Sequence, residues 1–195
     1  MSINQVSNKP YDLIVFGATS FVGQILTRYL VETIGANGDV SWAIASRSAT
    51  KLSSLKDSLG TAASELPVLI ADSHDEASLQ ALCDQTGVII STVGPYALYG
   101  ELLIKACAES GTDYTDLTGE AHWIAQMKDK YNQAAKANGA RIVNCCGFDS
   151  IPSDMGVFAM QQQAQAQFGH PMPHAKLRVK AMKGGASGGT IASMI

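Results

Sequence analysis

The sequence predicts a doubly wound parallel α/β sheet. Two observations carry this: six short apolar runs alternate with longer amphipathic stretches, and a glycine corner, "FGATSFVG" at residues 16–23, separates the first run from the stretch after it. Several runs are apolar on consecutive residues, as strands covered on both faces of a parallel sheet must be. Right-handed crossovers then place any ligand at the carboxyl ends of the strands.

The runs read "LIVFGA", "VSWAIAS", "LPVLIAD", "GVIISTVG", "DYTDL" and "ARIVNCC". After the first, Val22, Ile25, Leu26, Tyr29 and Leu30 fall on one helical face, with Gly35 placed to end the helix. The stretch "SHDEASLQALCDQTG" opens with Ser73 and Glu76 at capping-box spacing and closes near Gly87. "ELLIKACAESG" and "WIAQMKDKYNQAAKANG" end in Gly111 and Gly139. "QQQAQAQ" at 161–167 reads as a solvated helix face. "AKLRVKAM" at 175–182 alternates like a half-exposed strand, 183–190 reads as a turn, and 191–195 as the entry to a helix. A lone strand and a helix stub cannot bury their apolar faces unaided, so the chain is read as residues 1–168 forming one domain and 169–195 beginning another.

At 195 residues with 46% hydrophobic and 16% charged residues, the chain can bury one sizeable core. A formal net charge of -3, with no run of Lys or Arg, argues against nucleic acid or an anionic membrane surface as partner. Cys83, Cys107, Cys145 and Cys146 lack metal-site spacing and lie in apolar segments, as in a reducing cytoplasm. The first ten residues are polar and no apolar run is long enough to span a membrane, so a cytoplasmic protein is expected. The apolar tail hints at a homodimer. His170 and His174 flank "PMP" without further ligands, a loop rather than a metal site, and no metal is expected.

The glycine corner is the first chemical clue. Gly17 and Gly23 are six apart with Ser20 between them, a GxxGxxG spacing whose middle glycine is serine. A strand-to-helix turn of this kind aims backbone N–H groups and the positive end of the helix dipole at one point, a site for a pyrophosphate. Gly17 permits the tight turn and Gly23 the close approach of helix and sheet. Together with Thr19, Ser20, Phe21 and Val22 they form the expected diphosphate contact of a Rossmann-type domain; in the competing reading the glycines serve packing only.

The second clue lies at the end of the second run, "AIASRSATK". An Asp or Glu here would hold the ribose 2′-OH of NAD and repel a 2′-phosphate. Arg47 offers a bidentate fork instead, and Ser46, Ser48 and Lys51 further donors, so the expected cofactor is NADP. Arg47 as a solvated loop residue is the alternative. Asp72 is placed to meet the adenine edge or, equally, to cap a helix. Thr92, Val93, Gly94 and Pro95 end the fourth run, close to the nicotinamide ribose or in a plain loop.

Candidates for the chemical step are fewer. The Tyr-x-x-x-Lys pair of short-chain dehydrogenases is missing after every one of Tyr96, Tyr99, Tyr114 and Tyr131. Tyr96 and Tyr99 follow Gly94 and Pro95 and either orient a substrate carbonyl or pack. Asp116, Glu120 and His122 cluster beyond the fifth run, unless an acid there caps the helix carrying Trp123. "GFDSIPSD" places Asp149 and Ser150 beside the nicotinamide or at a helix cap ahead of Pro152. Neither Ser150 nor Cys145 has a base partner for nucleophilic hydrolysis. Tyr96, Tyr99 and Asp149 are the catalytic candidates.

With these residues in view, the chain resembles the saccharopine dehydrogenase-like oxidoreductases, a group that includes the trans-acting enoyl reductases. The resemblance rests on "GATSFVG", "ASRS", "VGPYALYGELLIKACAESGTDYTDLTGE", "NCCGFDSIPSDMG" and "GGASGGTIASM". It implies a Rossmann domain using NADP(H), followed by a mainly antiparallel second domain that shapes the substrate site. Ser20 departs from the family's usual central glycine. The expected function is hydride transfer to or from a small or lipid-like metabolite, and the alternative is a non-catalytic NADP-binding sensor or scaffold module.

Overall fold

The computed structural model describes residues 9–181 and 188. Six strands form one parallel sheet: β1 (Tyr11–Phe16), β2 (Trp42–Ser46), β3 (Val68–Ile70), β4 (Thr86–Ser91), β5 (Asp113–Asp116) and β6 (Ile142–Val143), in the order β3-β2-β1-β4-β5-β6. Every neighbouring pair is parallel, with Ile14 of β1 opposite Ala43 on one side and Ile89 on the other. The order reverses at β1, so the connections leaving the carboxyl ends of the paired strands β1 and β4 diverge and leave a crevice above them.

Among the described residues seven α-helices flank the sheet, six between strands and the last after β6: α1 (Phe21–Ile34), α2 (Ala49–Leu59), α3 (Glu76–Cys83), α4 (Tyr96–Tyr99), α5 (Glu101–Ser110), α6 (Ala121–Asn138) and α7 (Ile151–Phe168). The period-two alternation of β1 splits the core. Ile14 and Phe16 face a cluster with Leu79, Leu82, Leu103, Ile104, Trp123 and Met127 of α3, α5 and α6. Val15 faces the other way, against Trp42, Ile44, Val31, Leu52 and Leu55 under α1 and α2. Burial on both faces explains why these strands are apolar on consecutive residues.

Helix ends follow the chemistry of their terminal residues. Gly111, Gly139 and Gly169 take left-handed conformations after α5, α6 and α7, and Gly35 ends α1 at φ 74. Two expectations at helix ends are corrected. Asp75, not Ser73, caps α3, its carboxylate accepting from Ala77 N, and α3 stops at Cys83 while Gly87 lies inside β4. A carboxylate directly before the helix reaches the first-turn amides better than a hydroxyl two residues earlier.

The face of α1 also differs from its periodicity. The buried line is Gly23, Thr27 and Val31, whereas Ile25 and Tyr29 are 56% and 60% exposed. Small side chains at 23 and 27 bring the helix axis close to the sheet, so the bulky residues flank the contact instead of forming it. Thr27 pays no penalty for burial because its hydroxyl donates to Gly23 O at 2.7 Å.

The Gln-rich stretch lies on α7 and is largely exposed. The strand expected over 175–182 does not form over its described part, 175–181, where Leu177 and Val179 stand in solvent without a pairing strand. The turn expected over 183–190 and the helix entry over 191–195 lie, apart from Gly188, outside the described residues. Among the described residues no helix is long and apolar enough to cross a membrane.

Candidate functional site

The glycine corner closes exactly where β1 ends: Gly17 takes φ +85, and a Cβ there would lie 2.6 Å from Val93 Cγ2 and 2.8 Å from Thr92 Oγ1. The ends of β1 and β4 are therefore held in contact at a point that has no room for a side chain. A Cβ on Gly23 would run into the Gly17 carbonyl oxygen and lie 2.8 Å from Ala18 Cα, so α1 rests its first turn on the backbone leaving β1.

Ser20 is the N-cap of α1. Its Oγ accepts from Gly23 N at 3.0 Å and donates to Thr92 Oγ1 at 3.1 Å, while Thr92 Oγ1 donates to Gly17 O at 2.8 Å. The serine thus ties the glycine corner to β4 and occupies one of the helix's unpaired amides. Among the described residues, the amides of Thr19, Phe21 and Val22 meet no protein acceptor. They keep the corner open to an anion. Ser20→Ala should lower the unfolding free energy by about 1 kcal/mol in urea denaturation, and an unchanged midpoint would contradict the cap.

A cleft of about 300 Å3 opens at this corner, lined by residues from the ends of β1, β2, β3 and β4. Gly17, Thr19, Ser20, Ser46, Arg47, Ser48, Lys51, Thr92, Val93, Gly94 and Tyr99, all expected at the site, meet here. Two are used locally: Ser46 Oγ accepts from Ser48 N, and Ser48 Oγ caps α2 by accepting from Lys51 N. Their hydroxyls hold the turn that projects Arg47 and Lys51, both exposed. No residue lining the cleft carries a carboxylate, so its charge is positive.

Phe16, Ala71 and Ser73 line the cleft too and were not anticipated. Phe16 reads as core, and alternation past β3 is the signal that would have favoured 71 and 73 over 72. Phe21, Val22, Gly23, Asp72 and Pro95 do not line it. The Gly94–Pro95 peptide is cis. The Asp72 carboxylate turns back to accept from His74 N at 3.0 Å and meets His74 Nδ1 at 3.2 Å, which holds it below the usual carboxylate range. It therefore neither caps α3 nor reaches into the cleft.

The catalytic candidates separate. Tyr96 is only 5% exposed and packs against Trp123; its hydroxyl donates to Ser91 O at 3.0 Å and accepts from Leu117 N at 3.4 Å. Burial pushes the phenol far above its ordinary range. Tyr96 is thus a core residue, and the catalytic role expected for it is withdrawn. Asp149 is exposed in the turn before α7 and does not line the cleft; Ser150, not Asp149, occupies the N-cap, and Pro152 falls in the first turn. Tyr99 alone of the three lines the cleft.

The expected cluster of Asp116, Glu120 and His122 resolves into separate jobs. The Glu120 carboxylate reaches across to α4, accepting from Tyr96 N at 2.8 Å and Ala97 N at 2.7 Å. It thus caps a neighbouring helix instead of the one it precedes, and it fixes the loop that carries Val93 and Gly94. Glu120→Ala should cost about 1–2 kcal/mol of stability, read from the shift in denaturant midpoint, with Glu120→Gln recovering part of it. An unshifted midpoint would show that these bonds are idle. Asp116 is 2% exposed, and its oxygens accept from Tyr114 OH, Asn144 Nδ2, Thr118 N and Cys145 N at 2.7 to 3.1 Å. Burial raises its carboxyl above the ordinary value against the pull of these bonds. His122 is exposed.

Residues 13–143 match the family described as the Saccharopine dehydrogenase NADP binding domain. A Mycobacterium tuberculosis protein that carries the provisional name trans-acting enoyl reductase is 42% identical over 187 residues, covering 96% of this chain and 44% of that protein. A Caenorhabditis elegans protein named Lipid droplet localized protein is 40% identical over 164 residues, covering 82% of this chain and 38% of its own. The chain therefore spans less than half the length of these relatives. Among solved structures, apo saccharopine dehydrogenase (L-Glu forming) from Saccharomyces cerevisiae superposes with a TM-score of 0.61 at 20% identity, over 80% of this chain and 32% of that one, a likeness of fold.

Proposed function

We propose, from the premise that this chain belongs to the saccharopine dehydrogenase NADP-binding domain family, that the complete protein is an oxidoreductase moving a hydride between NADP(H) and a small or lipid-like metabolite. NADP is the cofactor of that family. Residues 1–168 are its binding domain in this reading, and 169–195 begin a second, mainly antiparallel domain that shapes the substrate site.

The observation that carries the proposal is the cleft together with the turn beside it: amides without a protein acceptor at Thr19 in the cleft and at Phe21 and Val22 next to it, a glycine at 17 that leaves no side chain in the way, and Arg47 with Lys51 after β2 where an acid would stand for NAD. These residues fit a dinucleotide with a 2′-phosphate. Thr19, Phe21 and Val22 would bind the diphosphate through their amides, and Arg47 and Lys51 the 2′-phosphate. Val93 and Gly94, held by Glu120 through α4, would bound the nicotinamide half. The bound nicotinamide supplies the hydride; the protein's part is to hold it with one face open to substrate and water excluded.

The relative named trans-acting enoyl reductase favours an electron-poor carbon-carbon double bond as acceptor, and the lipid droplet protein a lipid-like carrier. The test uses full-length protein with NADPH and a panel of enoyl thioesters, imines and ketones, following loss of the reduced-nicotinamide absorbance. Oxidation dependent on one class supports the proposal and names the substrate. Tight NADPH binding without turnover on any class would favour the sensor or scaffold reading.

A further inference from the structure

Tyr99 lines the cleft, and its ring meets a residue of the loop after β3. The sheet order β3-β2-β1-β4 sets the direction of a dinucleotide across the crevice. With the diphosphate at the start of α1 and the 2′-phosphate at Arg47 after β2, the adenine must extend toward the loop after β3. The nicotinamide runs the opposite way, over β4 and β5. Tyr99, although carried by α4 after β4, reaches back to the β3–α3 loop: its ring meets that of His74 in a T-shaped contact, with centroids 5.3 Å apart and planes at 85°. Ala71 and Ser73 of the same loop complete that end of the cleft.

His74 is itself held. Asp72 accepts from the His74 amide at 3.0 Å and lies 3.2 Å from its ring Nδ1, so the imidazole is fixed to the loop that supports it. An exposed histidine with a 63% accessible side chain gains nothing for the core from this arrangement. What it does is prop a half-buried aromatic ring in a cleft wall.

We infer that Tyr99, propped by His74, is the wall against which the adenine base of the cofactor stacks, and that Asp72 acts as a positioning residue by holding the prop. This rests on the NADP reading of the cleft. It moves Tyr99 from the chemical step to cofactor recognition, and it gives Asp72 an adenine-side role exercised through His74. Aromatic stacking on a base is sequence-tolerant and strong enough to matter, changing affinity by about tenfold or more on truncation.

The test is calorimetric titration of full-length protein with NADP+ and with adenosine 2′,5′-bisphosphate, which carries the adenine and the 2′-phosphate but no nicotinamide. Tyr99→Leu should weaken both ligands by the same factor, about tenfold or more, and Tyr99→Phe should retain both. His74→Ala, at an exposed position that does not threaten folding, should weaken both by a smaller common factor. Unchanged binding of the bisphosphate to Tyr99→Leu and His74→Ala, with turnover lowered in Tyr99→Leu, would overturn the inference and return Tyr99 to the reacting end. If the unaltered protein bound neither ligand, the NADP reading beneath it would fail instead.

Discussion

Gly23→Ala is expected to abolish NADPH binding and to destabilise the domain by about 1–3 kcal/mol or more, the range for forcing a methyl into a filled space. The new Cβ would collide with the Gly17 carbonyl oxygen and stand 2.8 Å from Ala18 Cα. Both are backbone atoms of the turn leaving β1, and neither can rotate away. Relief requires α1 to lift from the sheet, which breaks the Ser20 cap and moves the amides of Thr19, Phe21 and Val22 away from the diphosphate position. The control is Gly35→Ala, where nothing lies within 4 Å and only the left-handed φ of +74 is strained. That change should cost about 1–3 kcal/mol, because φ 74 with ψ 167 is a region nearly reserved for glycine, and should leave binding intact. Denaturant unfolding and nucleotide titration of the two variants separate crowding from strain; normal binding by Gly23→Ala would contradict the close approach.

Asp116→Ala should be the most destabilising single change among the polar residues, by about 3–5 kcal/mol. Four donors converge on this carboxylate at the end of β5, and removing it leaves Tyr114 OH, Asn144 Nδ2 and two backbone amides without their acceptor. Two of these donors belong to the loop after β6, where Cys145 holds a left-handed φ of 61 and Cys146 N donates to Asp116 O. The strand of that loop has only two residues, so side-chain bonds do the anchoring that a longer ladder would. Tyr114→Phe, which removes one donor and leaves three, should cost about 1 kcal/mol. A loss below about 1 kcal/mol for Asp116→Ala, read from urea unfolding, would show that water replaces the carboxylate.

The sheet was legible because β2 and the second half of β1 are buried on both faces and read as unbroken apolar runs, and because Gly17 and Gly23 stand at the spacing that a strand-to-helix corner needs. The helix face of α1 was not, because small residues at 23 and 27 make the tightest contact while periodicity weights the bulky ones. Tertiary hydrogen bonds were equally hidden. Glu120 caps a helix 23 residues earlier in the chain, and the Tyr96 hydroxyl turns inward to Ser91, relations that no local pattern records. Around the cleft, local chemistry served better: Ser46, Arg47, Ser48 and Lys51 lie together since they share one turn. At 72 the expectation had the right loop and the wrong side chain orientation, because an aspartate can bond the amide two residues on instead of facing the ligand.

The central claim is that this cleft holds a dinucleotide through its 2′-phosphate. It is tested most directly by calorimetric titration with NADPH and with NADH, repeated on Arg47→Ala. The expected result is a preference for NADPH of about tenfold or more, equivalent to about 1.4 kcal/mol, that disappears in Arg47→Ala while NADH binding is unchanged. Equal affinity for the two nucleotides in the unaltered protein, or a preference that survives Arg47→Ala, would contradict it.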